Sequence, residues 1–349
     1  MSDIKIMDVT LRDGSYAIDF QFSCAQQRMI TENLEKLGIE YIEIGHGMGL
    51  NASSPQNGMA LHSDFEYLTT AQRSLKRAHY GMFCIPGIAR LEDVDTACEL
   101  GVGFLRIGTN VTEVDASKEY IKRAKNHNIL VATNYMKSYA LTPDLFAEQV
   151  LKSESFGADI AYVVDSAGCM TPEQIEMYYE AVRKRSKIKL GFHGHDNIGL
   201  AMANSIKAAE LGFSYIDCSL QGMGRSAGNT STELFAINAS KMGFGIDIDI
   251  KKLLKVSKKY VWPLEKRINI LDAMCGYTGL HSSYLRDIHK IAGKYGVDPL
   301  ELMERYTSYD QVHMDIDSLE GIAKTMNEDL DSFMICDFHG YFGHEQEDR

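Results

Sequence analysis

Short β-branched runs alternating with longer segments of helical period predict an α/β chain: a TIM (β/α)8 barrel followed by a small all-helical C-terminal region. Three observations carry that prediction. The alternation is the mark of repeated βα units, which build a parallel sheet. Eight such units fit in roughly 245 residues, the count and length of a barrel, whereas a doubly wound sheet usually stops sooner. The 349 residues hold only six prolines and no low-complexity tract, so no flexible linker interrupts the series. Strands are expected at Ile4–Val9, Tyr41–Ile44, His79–Ile85, Phe104–Ile107, Ile129–Asn134, Ile160–Val164, Lys189–His193 and Tyr215–Ser219. Helices are expected at Ala25–Leu37, Leu91–Leu100, Ser117–Asn126, Pro143–Phe156, Pro172–Arg185, Leu200–Leu211 and Thr230–Met242. Gly38, Gly157 and Gly212 fall where a helix ends and the chain needs a positive φ. The rhythm stops near residue 250, which divides the chain into a barrel over 1–250 and a helical region over 251–345. That region reads as helices or helical turns around Ile250–Lys259, Gly279–Tyr295, Pro299–Glu304 and Leu319–Phe333, and the polar tail with His339 and His344 reads as solvated.

Acidic residues outnumber basic ones, 48 to 36, for a formal charge of −12. Such a surface repels a phosphate backbone and argues against nucleic acid. The opening MSDIKIMDVTLRDG has no basic and apolar leader, and no run of ~18 apolar residues occurs, so neither export nor a membrane span is expected. The seven cysteines are scattered, odd in number and never spaced Cys-x-x-Cys. They fit small buried residues in a reducing cytoplasm better than a disulfide framework or a thiolate zinc site.

A barrel carries its chemistry in the loops that follow its strands. Strand one leads into Thr10-Leu11-Arg12-Asp13-Gly14-Ser15, strand two carries Glu43 into Gly45-His46-Gly47, and strand five ends at Asn134. Strand six ends at Asp165-Ser166 and strand seven at His193-Gly194-His195-Asp196-Asn197. Strand eight gives Asp217 and Ser219 before a glycine-rich loop, Gly222–Gly228. On an extended backbone residues i and i+2 face one side, so His193 and His195 can share a metal ion. Asp13 is the expected anionic third ligand, because strand one neighbours strand eight once the barrel closes. Two imidazoles and a carboxylate leave positions open for water or substrate. Arg12 beside a divalent ion suits an α-keto acid and the enolate oxygen that carbon–carbon cleavage develops. A rim salt bridge from Arg12 to Asp13 or Glu43 is the alternative. His46 either orients substrate or bonds a backbone carbonyl, and the glycine-rich loop either cradles an anion or only makes a tight turn.

Asp8-Val-Thr-Leu-Arg-Asp-Gly14, His193-Gly-His195-Asp-Asn197 and Gly222-Met-Gly-Arg-Ser-Ala-Gly-Asn229 together resemble the DRE-TIM metallolyases, most closely the 4-hydroxy-2-oxovalerate aldolases. Ile42–Gly47, Pro86-Gly-Ile88, Thr112-Glu113, Asp165-Ser166 and Gly276-Tyr277 with Ser282-Ser283 fit the same pattern. The resemblance implies a class II aldolase that splits a 4-hydroxy-2-keto acid into pyruvate and an aldehyde. It implies one divalent ion on Asp13, His193 and His195, usually Mn2+, with Mg2+, Co2+ or Zn2+ as substitutes, and an enolate-stabilising Arg12. Expected substrate contacts are Arg12, His46, Phe83, Ile85, Asn134 and Ser166. The C-terminal helices are expected to dock an acylating aldehyde dehydrogenase or a second copy of the chain. Two positions depart from the family pattern in a reciprocal way: its base histidine is Tyr16 here, and its Tyr before Ser-Ser is His281. The exchange keeps one imidazole and one phenol, so Tyr16 and His281 join Arg12 as the expected catalytic residues. His281 would accept the substrate hydroxyl proton while Tyr16 orients that hydroxyl.

Other readings stay open on the sequence. Hydroxymethylglutaryl-CoA lyases resemble this barrel but use a cysteine in the loop after strand eight, and Gln221–Asn229 contains none. Claisen-type acyltransferases need a lid domain that the residues after the barrel barely supply. Two His and a carboxylate also make an iron oxygenase triad, which usually sits on a β-fold. Because the base position has changed, a non-catalytic barrel scaffold is a further reading. Metal-dependent pyruvate release separates it from an enzyme.

Overall fold

Eight parallel strands close on one another in chain order in the computed structural model, which describes residues 4–261, 264, 271, 274–275, 278–336 and 338. They are β1 (Lys5–Asp8), β2 (Tyr41–Glu43), β3 (His79–Cys84), β4 (Phe104–Asn110), β5 (Leu130–Met136), β6 (Ile160–Asp165), β7 (Lys189–Gly194) and β8 (Tyr215–Cys218). The register returns β8 to β1, with Lys5 opposite Tyr215 and Asp8 opposite Cys218. The loops leaving β1 and β8 are therefore neighbours, as closure requires. Strands β4 and β5 outrun the expected Ile107 and Asn134, because their pairing continues to Asn110 opposite Met136. The polar residues there look like a loop in sequence but belong to the rim.

The barrel helices are α1 (Cys24–Lys36), α2 (Asp64–Ser74), α3 (Leu91–Glu99), α4 (Lys118–Asn126), α5 (Pro143–Phe156), α6 (Pro172–Arg183), α7 (Ala201–Leu211) and α8 (Thr232–Met242). The strand-and-helix pattern read from the sequence omits α2. Its signal is a capping box, in which Ser63 accepts from the Glu66 N–H and Glu66 accepts from the Ser63 N–H. Gly157 and Gly212 end α5 and α7 with φ of 111° and 94°, the left-handed cap expected of them.

Met7, Val9, Phe104, Ala132, Ile160, Tyr162, Val164 and Tyr215 fill the barrel's interior. A larger apolar layer joins sheet to helices, and Leu253 of α9 (Ile250–Tyr260) and the adjacent Val261 lie within it. Past that point a second core forms from Leu271, Leu285, Ile288, Leu302, Tyr306 and Leu319. The expected Leu319–Phe333 helix is two helices, Ile316–Ala323 and Leu330–Ile335. Asp329 separates them: its side chain caps the second by accepting from Ser332, and its N–H donates to Gly296. The expected Gly279–Tyr295 segment is a 3-10 turn, Ser282–Tyr284, leading into a helix over Leu285–Tyr295. Gly276, Tyr277, His339 and His344 lie outside the described residues.

The second core docks on the rim where the strands end. Lys137, just past β5, donates to the Tyr284 hydroxyl (2.7 Å) and to the Val312 carbonyl, and Tyr139 donates to the Gly279 carbonyl. Among the described residues no helix is long and apolar enough to cross a membrane.

Candidate active site

A cavity of about 420 Å³ opens at the C-terminal ends of the strands. Arg12, Asp13, Tyr16, Phe83, Ile85, Asn134, Ser166, His193, His195 and His281 all line it, which unites ten of the eleven expected residues from six separate segments. His46 is the exception. Its ring stacks on Phe20 at 3.8 Å, its Nδ1 receives the Met48 N–H and its Nε2 meets the Gly58 carbonyl. Both ring nitrogens serve the loop after β2, so His46 shapes the wall without being part of it.

Asp13, His193 and His195 are the one group of metal-ligating side chains found among the described residues, with one ligand atom from each lying within 4.8 Å of the others. All three are buried. The two rings sit 5.0 Å apart at 87°, both drawn to one side by the extended end of β7. Their Nδ1 atoms are already committed. His193 Nδ1 faces Asp217 Oδ2 at 2.8 Å, and His195 Nδ1 faces the Gly228 carbonyl at 3.2 Å. Asp217 is held ionised against burial by Arg106 and His193. An ionised partner takes Nδ1–H and leaves Nε2 its lone pair, the tautomer a metal ligand needs. Burial pushes the His195 imidazole down to about 4, with Asp13 opposing, so it is neutral in ordinary buffers. Burial alone would raise the Asp13 carboxyl, but Arg12 and the two imidazoles hold it well below the usual carboxylate range. An anion and two imidazoles, each anchored from behind, fit a divalent cation.

The glycine-rich loop serves this centre. Gly228 has φ +92°, and a Cβ there would lie 2.2 Å from the Gly222 carbonyl oxygen, so only glycine lets the loop fold back to present that carbonyl to His195. Asn229 and the Arg225 N–H donate to Asp13 Oδ2. The loop thus positions two of the three ligands.

Arg12 makes the rim salt bridges of the alternative reading and keeps one nitrogen in reserve. Its Nε donates to Glu43 and its Nη1 to Asp13, each at 2.7 Å, while Nη2 is buried with no partner among the described residues. The salt bridges fix the plane, and the remaining nitrogen can meet an oxyanion. Behind it Arg106, from β4, bonds Glu43, Asp217 and Asn134. Phe83 has Arg12 over its ring at 4.8 Å and Arg106 at 6.0 Å, so the expected aldehyde-facing side chain is braced by two cations. Sequence reasoning missed Arg106. A lone arginine inside the run Phe104–Ile107 was its signal.

Tyr16 lies against Gly47, where a Cβ would come within 2.3 Å of the phenol ring. The Arg225 guanidinium covers that ring at 4.6 Å and donates from Nε to Ser282 Oγ. Arg225 therefore connects the surroundings of Tyr16 to the segment that carries His281. His281 Nδ1 lies 2.8 Å from Ser283 Oγ. Burial, Arg225 and Lys137 together hold the imidazole well below its usual range, so it is neutral. Arg225 and Lys137 escaped the sequence reading as site residues, the first inside a quoted motif and the second one position past the expected strand.

Asp8 supplies a stability prediction. Both its oxygens accept from Thr10, whose hydroxyl in turn receives the Leu220 N–H, joining the loops after β1 and β8. Burial pushes its carboxyl from 3.8 up to about 7. Between those values the unfolded chain loses this proton and the folded chain keeps it. Stability from this group is therefore whole below about pH 4 and is lost as pH rises toward 7, by up to ~4 kcal/mol. Asp8→Asn is expected to flatten that slope. Urea midpoints of EDTA-treated protein at pH 5 and 7.5 check it, and an unchanged slope places the titration elsewhere.

Comparisons agree with this geometry. A family model described as HMGL-like matches residues 3–259. The chain is 36% identical over 303 residues to 4-hydroxy-2-oxovalerate aldolase 2 of Nocardia farcinica, covering 86% of this chain and 88% of that one. It is 35% identical to 4-hydroxy-2-oxovalerate aldolase of Brevibacillus brevis, covering 92% and 97%. In fold it matches the crystal structure of Bacillus subtilis HMG-CoA lyase with a TM-score of 0.66 at 19% identity, over 78% of this chain and 97% of that one. With its closed eight-stranded barrel and its rim of Asp13, Arg12 and paired histidines, the chain belongs to the HMGL-like family, the DRE-TIM group, as a relative of the 4-hydroxy-2-oxovalerate aldolases.

Proposed function

We propose that this chain is a class II aldolase that cleaves a 4-hydroxy-2-keto acid into pyruvate and an aldehyde, or joins the two. One observation carries the reading: a buried carboxylate and two Nδ1-anchored imidazoles share a cavity with Arg12, whose Nη2 is uncommitted among the described residues. The names of the relatives support the reaction class. Asp13, His193 and His195 would hold the divalent ion, with manganese the ion proposed. Bound there, it supplies Lewis-acid polarisation of the keto oxygen.

The chain's own residues do the rest. Arg12 Nη2 donates to the C2 oxygen as it gains enolate charge, and its bridges to Asp13 and Glu43 spare it reorganisation. A neutral imidazole on His281 takes the C4 hydroxyl proton as the C3–C4 bond breaks, and C3 of the enolate then takes up a proton to give pyruvate. Nδ1 accepts from the Ser283 N–H and lies 2.8 Å from Ser283 Oγ, and these contacts hold the ring at the cavity wall. Tyr16, fixed between Gly47 and Arg225, orients the hydroxyl. Phe83 and Ile85 give the aldehyde half an apolar wall, and Asn134 and Ser166 line the same cavity.

His281→Ala is expected to lower aldol cleavage by ~100-fold or more, with pyruvate enolisation less affected, and Tyr16→Phe is expected to be milder. Cleavage rates beside deuterium uptake at pyruvate C3 test this. Equal loss of both processes in His281→Ala removes the imidazole from the base role. The wider reading is tested by incubating Mn2+-loaded protein with pyruvate and an aldehyde panel and weighing the adducts. No metal-dependent product would favour a scaffold. The free cysteines suit a cytoplasmic setting. The exposed Tyr309, Ile316, Leu330 and Met334 of the C-terminal region suit a docked acylating aldehyde dehydrogenase or a second copy of the chain.

A further inference from the structure

The cavity's charge does not match a substrate with one carboxylate. Four of its lining residues are cations, Arg12, Lys137, Arg225 and Arg286, against a single lining carboxylate, Asp13, in a chain whose formal charge is −12. A positive pocket in an acidic protein concentrates anions at that one place.

The four cations form two groups. Arg12 is tied to Asp13 and Glu43 beside the paired histidines, where the pyruvyl end of a keto acid belongs. The other three converge on the segment 282–286. Lys137 Nζ donates to the Tyr284 hydroxyl, Arg225 Nε donates to Ser282 Oγ, and Arg286 lies in that segment itself. Lys137 donates to neutral oxygens, and Arg286 makes no ion pair among the described residues. Glu113 and Asp310, whose charges reach Lys137, do not line the cavity. Asn57 and Asn110 add amide groups to the wall. At about 420 Å³ the cavity also exceeds what pyruvate and a two-carbon aldehyde fill.

We infer that the aldehyde half of the substrate carries its own anionic group, a carboxylate or a phosphate, held by Lys137, Arg225 and Arg286. The inference rests on the aldolase reading above and names the substrate class it left open. In the synthetic direction pyruvate loses one C3 proton, C3 bonds to the aldehyde carbon, and the aldehyde oxygen gains a proton to become the C4 hydroxyl. The anionic group takes no part in that balance. It fixes which face and depth the aldehyde presents.

Paired aldehydes test this with pyruvate and Mn2+-loaded protein. Succinate semialdehyde against butanal reads a carboxylate, and glyceraldehyde 3-phosphate against glyceraldehyde reads a phosphate. The anionic member of at least one pair is expected to win by ~100-fold or more in kcat/KM, because a site built for a charged group rejects its neutral analogue. Arg286→Gln is expected to shrink that preference by ~10-fold, and Arg225→Gln serves as the second variant. Equal use of neutral and anionic members in both pairs overturns the inference, as does a preference that both variants leave intact. Deuterium exchange at pyruvate C3 separates the two ideas. Without exchange the aldolase reading fails, whereas exchange without anionic preference sinks only the substrate class.

Discussion

Arg12→Lys is expected to lower turnover of a 4-hydroxy-2-keto acid by ~100-fold or more, with a smaller change in KM. Lysine keeps the positive charge, so bulk electrostatics toward the carboxylate end persist. What it loses is the fork. The native guanidinium spends Nε on Glu43 and Nη1 on Asp13, and its third nitrogen is thereby fixed in plane for an oxygen whose charge grows during bond cleavage. A single ammonium reaching for Glu43 or Asp13 has no rigid second arm to offer the enolate. The loss therefore falls on kcat. A variant whose KM rises while kcat stays put would make Arg12 a ground-state anchor, and one with neither changed would leave it a structural ion pair. Thermal melting of the variant guards against misfolding.

Asp13→Asn is expected to remove metal binding and activity together, with turnover falling ~1000-fold or more. Asn supplies a neutral oxygen where the wild type supplies the centre's one anion. It also leaves Arg12 with Glu43 alone and places an amide beside the Asn229 amide and Arg225 N–H that now donate to a carboxylate. Metal content after gel filtration, measured by elemental analysis, should drop with the rate. Full occupancy at normal turnover would move the metal elsewhere, while full occupancy with lost turnover would give Asp13 a role in orienting Arg12.

Much of this site can be read from the chain because a closed barrel converts sequence order into spatial order. Once β8 pairs with β1, residues 13, 193 and 195 must meet, and helical period plus His-x-His is enough to say so. The order fails where contacts depend on side-chain reach. His46 sits in a rim loop like its neighbours, yet Phe20 and two backbone groups claim its ring. Arg106 is unreadable as a brace until Glu43, Asp217 and Asn134 are known to face it. Arg286 belongs to the cavity only because the C-terminal core sits on the rim, and no periodicity in those short helices announces where they dock. Asp329 shows the same limit on a smaller scale, since an N-cap divides a segment that composition alone would run together as one helix.

The cavity is written in two parts of the gene. The residues proposed for enolate chemistry come from the barrel, while His281, Ser283 and Arg286 arrive from a later segment that folds around its own core. Descent can then act on them separately. Drift in the C-terminal helices around a retained His281 would exchange one carbon skeleton for another and leave the barrel's Asp13, paired histidines and Arg12 untouched. Lineages that share this barrel would be expected to diverge first in what they accept and last in what they do to it.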